Sequence, residues 1–375
     1  MATENVYRQL QQHLDQMPVG FPATDSGVEL RLLKHLFSPE EAELALHLSA
    51  FPEPVEKIHV RARKQGVELT QLQGVLEDLA NRGAILKTKV DGELRYSKAM
   101  LVLGIFEFQV NRLTKEFHAD FRQYLDEGFA LAAFTKKTSQ MRTIPISEEV
   151  TPERRIGTYD DARELVTRSD GPFGVMNCVC RQGMDLQDEP CRQTDIRETC
   201  LLMKGAAKGA IESGDAREVS SGEMLGFLDR ADRIGMVLQP QNTQDPDFIC
   251  CCCGCCCGVL TTVKKLPRPA EYFDTNYFAA VTEELCTGCE TCEDRCEMGA
   301  ISYADGVASV DRCFCIGCGL CVSTCQQEAI HLVEKEATKS PPKNTGDLYK
   351  QIMVERYGLL GAMKFVGKKA LGVRT

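Results

Sequence analysis

Two stretches of this chain repeat one pattern. CTGCETCEDRCEMGAI starts at Cys286 and CIGCGLCVSTCQQEAI starts at Cys315, and the two align without a gap. Both read C-x2-C-x2-C-x3-C and both reach Ala-Ile at the same offset, an internal repeat with the cysteine spacing of cluster ligands. A C-x2-C-x2-C loop can wrap one face of an iron–sulfur cube and supply three thiolates. The fourth cysteine sits too far along to close the same cube, and in this arrangement it serves the other one. The spacing therefore predicts Cys286, Cys289, Cys292 and Cys325 around one [4Fe–4S] cluster, and Cys315, Cys318, Cys321 and Cys296 around a second. Gly288 and Gly317 are expected to keep side chains away where the loops pass the inorganic core. A zinc module also uses CxxC pairs, but fourfold ligand runs in strict duplication weigh against it.

These residues resemble the bacterial two-cluster [4Fe–4S] ferredoxins over residues 280–334. The resemblance implies a small α+β unit of two βαβ halves that carries single electrons between partner proteins. Where that family has Pro after the fourth cysteine, this chain has Glu297 and Gln326. The departure leaves ligation intact and bears on the reduction potential. Cys313 is an extra thiol two residues before Cys315, outside both ligand sets.

All 20 cysteines lie between Cys178 and Cys325, and residues 1–177 hold none. The N-terminus lacks a basic segment followed by an apolar one, and no twin-arginine pair stands there, so no secretion signal is read. No run of apolar residues is long enough to span a membrane. The expected location is the cytoplasm, where dense cysteines serve as metal ligands or redox thiols rather than disulfides. The segment NCVCRQGMDLQDEPCRQTDIRETC carries Cys178, Cys180, Cys191 and Cys200 in what reads as a polar loop. These four are candidates for a third cluster, with Arg181 placed to offset thiolate charge; the alternative is structural or free thiols.

Further on, ICCCCGCCCG places Cys250, Cys251, Cys252, Cys253, Cys255, Cys256 and Cys257 in one short loop. Successive side chains diverge, so these thiols cannot all face one core, and Gly254 permits a reversal between them. A soft multi-iron centre is the expected filler, possible ligand sharing with 178–200 included; copper(I) or zinc storage is the rival. The loop resembles the CCG modules of heterodisulfide reductase-type subunits, which hold noncubane clusters, without their long inter-cysteine spacings. The whole chain is similar to a group of anaerobe multi-cluster proteins. These combine a helical N-terminal part, a C-x-C-R loop, a CCxCCC-type loop and a ferredoxin unit. That resemblance implies redox chemistry and names no substrate. One or two iron–sulfur clusters beyond the ferredoxin pair are expected.

The expected architecture is multidomain α+β. A helical domain (1–142) contains a winged-helix-like part at about 28–100. A central α/β cysteine-rich domain (152–270) follows, then the two-cluster ferredoxin-like domain (280–334), then a linker and C-terminal tail (335–375). Ser38-Pro39-Glu40-Glu41 is a capping box that opens a helix to about Ser49. Leu72, Val75, Leu76 and Leu79 share one helical face, with Gly83 as terminator, and Asp91-Gly92 is a hairpin turn. Residues 106–121 read as helical and 143–151 as a linker. Beyond it, helices are expected at 160–168, 201–212 and from the Ser220/Glu223 box to about 232, and strands at 173–177 and 235–239. The candidate recognition helix, 71–82, carries Glu77 and Asp78 against one Arg82, which disfavours DNA contact. The net charge of −10 argues against a general polyanion binder.

The reading that follows is an electron-transfer protein relaying electrons among its ferredoxin clusters, the additional cysteine region and a partner oxidoreductase or electron carrier. One alternative is a reductase with its active site at Cys250–Cys257, and another is an iron–sulfur-sensing DNA-binding regulator.

Overall fold

A computed structural model describes residues 2–134, 137–146 and 158–370. The expected linker at 143–151 and the expected boundary near 152 fall largely on 147–157, outside the described residues. The chain is mixed α/β with small sheets, and it divides into two compact units. One comprises Met1–Lys136 and Lys350–Thr375, the other Lys137–Tyr349.

The first unit is mainly helical. It contains α1 (Ala2–Leu14), α2 (Val28–Leu36), α3 (Pro39–Ala45), α4 (Val55–Ala62) and α5 (Leu69–Asn81). Ser38 caps α3 through a full capping box with Glu41, but α3 stops at Ala45, short of the expected Ser49. Leu72, Leu76 and Leu79 form the buried stripe of α5. The strands β1 (Leu86–Val90) and β2 (Glu93–Ser97) pair antiparallel around Asp91 and Gly92, with φ of 53° and 84°. Two positive φ values in a two-residue loop give the primed turn whose twist suits a hairpin. Residues 106–121 are not one helix. Asn111 adopts φ 62°, Thr114 caps a new start, and α6 runs Lys115–Tyr124, with α7 at Ala130–Phe134. The final helix α14 (Thr345–Ala370) is broken at Gly358, and Arg356 on it donates to Asp15 at 3.0 Å and to the Met17 carbonyl at 2.7 Å.

The second unit is built on a five-stranded antiparallel sheet of order β5-β3-β4-β7-β6. Its strands are β3 (Phe173–Asn177), β4 (Glu198–Met203), β5 (Ala216–Val219), β6 (Val237–Pro240) and β7 (Phe248–Cys252). Helix α8 (Ala162–Thr167) precedes the sheet, α9 (Val179–Leu186), α10 (Lys204–Glu212) and α11 (Ser221–Ile234) lie between its strands, and α12 (Gly258–Val263) follows β7. The Ser220/Glu223 capping box opens α11 as expected. Leu201–Met203, expected to be helical, belong instead to β4, whose two edges are both paired, to β3 and to β7. Central pairing overrides the helix propensity of the adjoining KGAAKGAIE.

Beyond α12 stand two antiparallel ribbons. β8 (Tyr277–Val281) pairs with β11 (Ile330–Glu334), and β9 (Ile301–Ala304) pairs with β10 (Val307–Val310). The Ala-Ile pair that ends each cysteine repeat opens a strand in both cases, β9 at Ile301 and β11 at Ile330. A short helix, α13 (Thr291–Asp294), lies within the first repeat.

Candidate metal centre

The thiols of the 178–257 region are sorted first by strand geometry. On the central pair β4–β7, Cys200 stands opposite Cys250 and Leu201 opposite Ile249. Side chains alternate along a strand, so Cys200, Cys250 and Cys252 share one face of the sheet. Cys251 takes the other face. It lies among Leu201, Phe227, Ala231 and Met236, and burial pushes its thiol up to about 12. The sequence reading grouped it with the other loop thiols; the two-residue period of β7 sends it into the core.

Helix starts supply the next thiols. Cys178 follows β3 as the N-cap of α9, Cys180 lies in the first turn of α9, and Cys257 is the N-cap of α12. The result is a continuous series of thiol contacts, Cys200–Cys250–Cys252–Cys257–Cys180–Cys178. Their acidities diverge. Bonds from Cys200 and Cys252 hold Cys250 well below the usual thiol range, and bonds from Cys180 and Cys252 hold Cys257 down to about 5. Cys252 is pushed well up by its bonds to Cys250 and Cys257, and Cys178 by its bond to Cys180. A row of thiols sharing protons is a row of deprotonatable soft ligands.

The other four thiols gather separately. Cys191, Cys253, Cys255 and Cys256 place their Sγ atoms all within 4.8 Å of one another. Cys191 is 3.7 Å from both Cys253 and Cys255, and Cys255 is 3.5 Å from Cys256. Met184 packs against the group, three of its cysteines are buried, and Cys255 is partly so. The Cys256 thiol, with other thiols and Arg181 assisting, holds Cys253 down to about 4. The four cysteines of 178–200, read as one candidate set, are thus split: Cys191 joins the turn after β7, and Cys178, Cys180 and Cys200 join Cys250, Cys252 and Cys257.

Arg181 serves both groups. The sequence reading put it in a polar loop, but it sits in α9 and is 0% exposed. Its guanidinium donates to the Cys251 carbonyl through both terminal nitrogens, each at 3.3 Å, and to Thr199 Oγ1. Burial alone would lower its pKa, yet Cys178, Cys253 and Cys191 raise it. Its Nε, wholly buried, has no hydrogen-bond partner. A buried cation with an orphaned donor fits an anionic centre of thiolates and metal beside it.

The cysteines of 286–325 are disposed differently. Cys296, Cys315, Cys318 and Cys321 line one apolar cavity, walled by Ile316, Leu320 and Ala279. Backbone amides donate to three of the region's sulfurs: Ala300 to Cys296 at 3.2 Å, Ala279 to Cys315 at 3.3 Å, and Ala308 to Cys286 at 3.4 Å. Cys292 bonds the Tyr303 hydroxyl at 2.9 Å, and Cys286 and Cys289 lie close enough to raise the tyrosine's pKa further. Cys325 acts on Cys292 in the same way. Cys313 sits at the turn capped by Asp311. Gly288 and Gly317 adopt φ of 65° and 66°, and a Cβ there would strike the carbonyls of Gly306 and Tyr277. Their requirement is therefore a left-handed backbone pressed against a neighbouring strand or turn.

Glu297 directly follows Cys296. It is 8% exposed, accepts from the Gly254 amide, and accepts from Gln193 Nε2 at 2.8 Å. Burial pushes its carboxyl up. A Cβ on Gly254 would lie 2.5 Å from the Glu297 carbonyl oxygen. Gly254, read as a reversal point, indeed lies in a turn, and it is also where this buried acid approaches the backbone. The acid directly after the fourth cysteine of the first repeat, where the second repeat has Gln326, is the sequence signal for this contact.

At the end of the candidate recognition helix Arg82 pairs with Glu41 at 2.5 Å, and on α4 Arg61 pairs with Glu53 at 2.5 Å. Among the described residues no helix is long and apolar enough to cross a membrane. No family model matches the chain, and neither a curated protein nor a solved structure matches it.

Proposed function

We propose that the chain is an iron–sulfur electron-transfer protein. It would pass electrons among two [4Fe–4S] clusters in a ferredoxin-like domain (280–334), the cysteine-rich 178–257 region and a partner oxidoreductase or carrier protein. The observation that supports this most is the Glu297 contact. The residue next to Cys296 is bonded to the amide of Gly254, inside the seven-cysteine stretch, so the repeat cysteines and the loop cysteines adjoin within one folded unit.

A bound iron–sulfur cluster supplies reversible one-electron storage. The chain's own residues set the conditions for it. Cys286, Cys289, Cys292 and Cys325 would hold one cube, and Cys315, Cys318, Cys321 and Cys296 the other. The amides of Ala279, Ala300 and Ala308 donate to ligand sulfurs, which favours added negative charge and raises a reduction potential. Ile316, Leu320 and Ala279 exclude water from the Cys315 side. The net charge of −10 suits docking on a basic partner surface.

The test is iron, acid-labile sulfide and EPR on protein purified without oxygen. Two cubes alone give about eight iron and eight sulfide per chain. The expected result exceeds that, with reduced-state signals beyond those of a coupled cluster pair and reoxidation by a soluble acceptor. Protein with neither iron nor sulfide after reconstitution, or with clusters that no reductant reaches, overturns the reading.

A further inference from the structure

We propose that Cys191, Cys253, Cys255 and Cys256 bind a single tetrahedral metal ion, iron or zinc, rather than a cluster. This goes beyond the electron-transfer reading and does not depend on it.

The argument is metric. A divalent ion with four thiolates at about 2.3 Å sits in a tetrahedron whose edges are roughly 3.8 Å. The Cys191–Cys253 and Cys191–Cys255 separations are 3.7 Å, Cys255–Cys256 is 3.5 Å, and every pair in the set lies within 4.8 Å. One ion fits among sulfurs so spaced. The thiolates of a four-iron cube cap different irons and must stand apart by more than one such edge. Among the described residues, this is where four ligand atoms crowd so closely. Cys296, Cys315, Cys318 and Cys321 instead spread around a cavity.

Local structure supports the same geometry. Cys253 to Cys256 form a tight turn between β7 and α12, which aims three sulfurs inward from four consecutive residues. Gly254 makes the turn possible by leaving room for Glu297. Cys191, beyond Pro190, supplies the fourth sulfur from another segment. Four thiolates around a divalent ion leave a net charge of about −2. The wholly buried Arg181 guanidinium, influenced by Cys253 and Cys191, opposes that charge, and Met184 closes one side against water. Cys255 alone of the four is more than slightly exposed, which gives the ion a way in.

A single ion contributes metal without inorganic sulfide, whereas a cube contributes the two equally. On the intact chain purified anaerobically, total iron plus zinc should exceed acid-labile sulfide by about one per chain. Cys255→Ala and, independently, Cys191→Ala should each remove that excess and leave sulfide unchanged. Zinc content by mass spectrometry, or a high-spin tetrahedral iron doublet in the Mössbauer spectrum of 57Fe-enriched protein, tells which ion is bound, and either supports the proposal. Equality of metal and sulfide in the wild-type chain overturns it, and that measurement stands even if both variants fail to fold. Loss of iron and sulfide together in a soluble variant, or loss of neither, also overturns it. None of these outcomes bears on whether the repeat cysteines carry reducible clusters.

Discussion

Adjacent cysteines in this chain have opposite environments, and the difference decides what each can do. Cys251 faces Phe227 and Ala231 as a small hydrophobe, while Cys252 faces Cys250 and Cys257 as one of a row of thiols. Cys251→Ala should therefore leave iron and sulfide content unchanged and cost about 1 kcal/mol of stability, from the lost burial of one sulfur. Cys252→Ala should lower metal content. Metal analysis of the two variants side by side checks the assignment, and equal losses would sink it. Arg181 gives a second prediction at this scale. Removing one partner of a buried charge arrangement costs about 3–5 kcal/mol, because the remaining charge stays buried and unpaired. Arg181→Met should shed metal from the 178–257 thiols during anaerobic gel filtration and lower the denaturation midpoint. A variant that keeps its full metal complement would show that the guanidinium is a structural filler.

At the scale of elements, the contact between Glu297 and Gly254 joins a cysteine repeat to the turn after β7. Gly254→Ala would force a Cβ to within 2.5 Å of the Glu297 carbonyl oxygen, and overpacking of that kind costs about 1–3 kcal/mol. Glu297→Pro would delete the bonds to Gly254 and Gln193. The expected outcome is retention of about eight iron by the repeat cysteines, with the thiols of the turn becoming faster to alkylate under anaerobic conditions. Unchanged alkylation would mean that the bond does not hold the turn. The elements also show what local patterns reveal. The Ser38 and Ser220 capping boxes, the Asp91-Gly92 turn and the Phe173–Asn177 strand are each written in a few consecutive residues, and each is where those residues put it. Features that depend on distant partners were not legible. Leu201–Met203 looked helical because only pairing to β3 and β7 makes them a strand. The division of Cys178, Cys180, Cys191 and Cys200 between two groups depends on segments about 50–80 residues away, which spacing rules for one loop do not reach.

At the scale of the whole molecule, the candidate metal ligands all belong to one of the two units. Every cysteine lies within Lys137–Tyr349, and the other unit rests on apolar contacts such as Leu72, Leu76 and Leu79 with capped helices. Metal bound only by the folded state stabilises it by mass action, so the two units should respond to different perturbations. Calorimetry of the intact chain should show two transitions. Anaerobic removal of metal by a chelator should lower one and leave the other in place. Ser38→Ala, which removes the α3 cap, should lower the other by about 1 kcal/mol and leave the metal-dependent one alone. Acid gives an independent marker for that second transition. Burial would raise the Glu41 pKa, but hydrogen bonds from Arg82 and from the Ser38 amide bring it below the usual value. A carboxyl whose folded pKa is depressed contributes stability that is present above its unfolded value, about 4.3, and is lost as the pH falls through the folded value. Glu41→Gln should remove that part of the acid sensitivity without changing metal retention. If chelation and Ser38→Ala move the same transition, the two units unfold as one, and metal binding supports the helical unit as well.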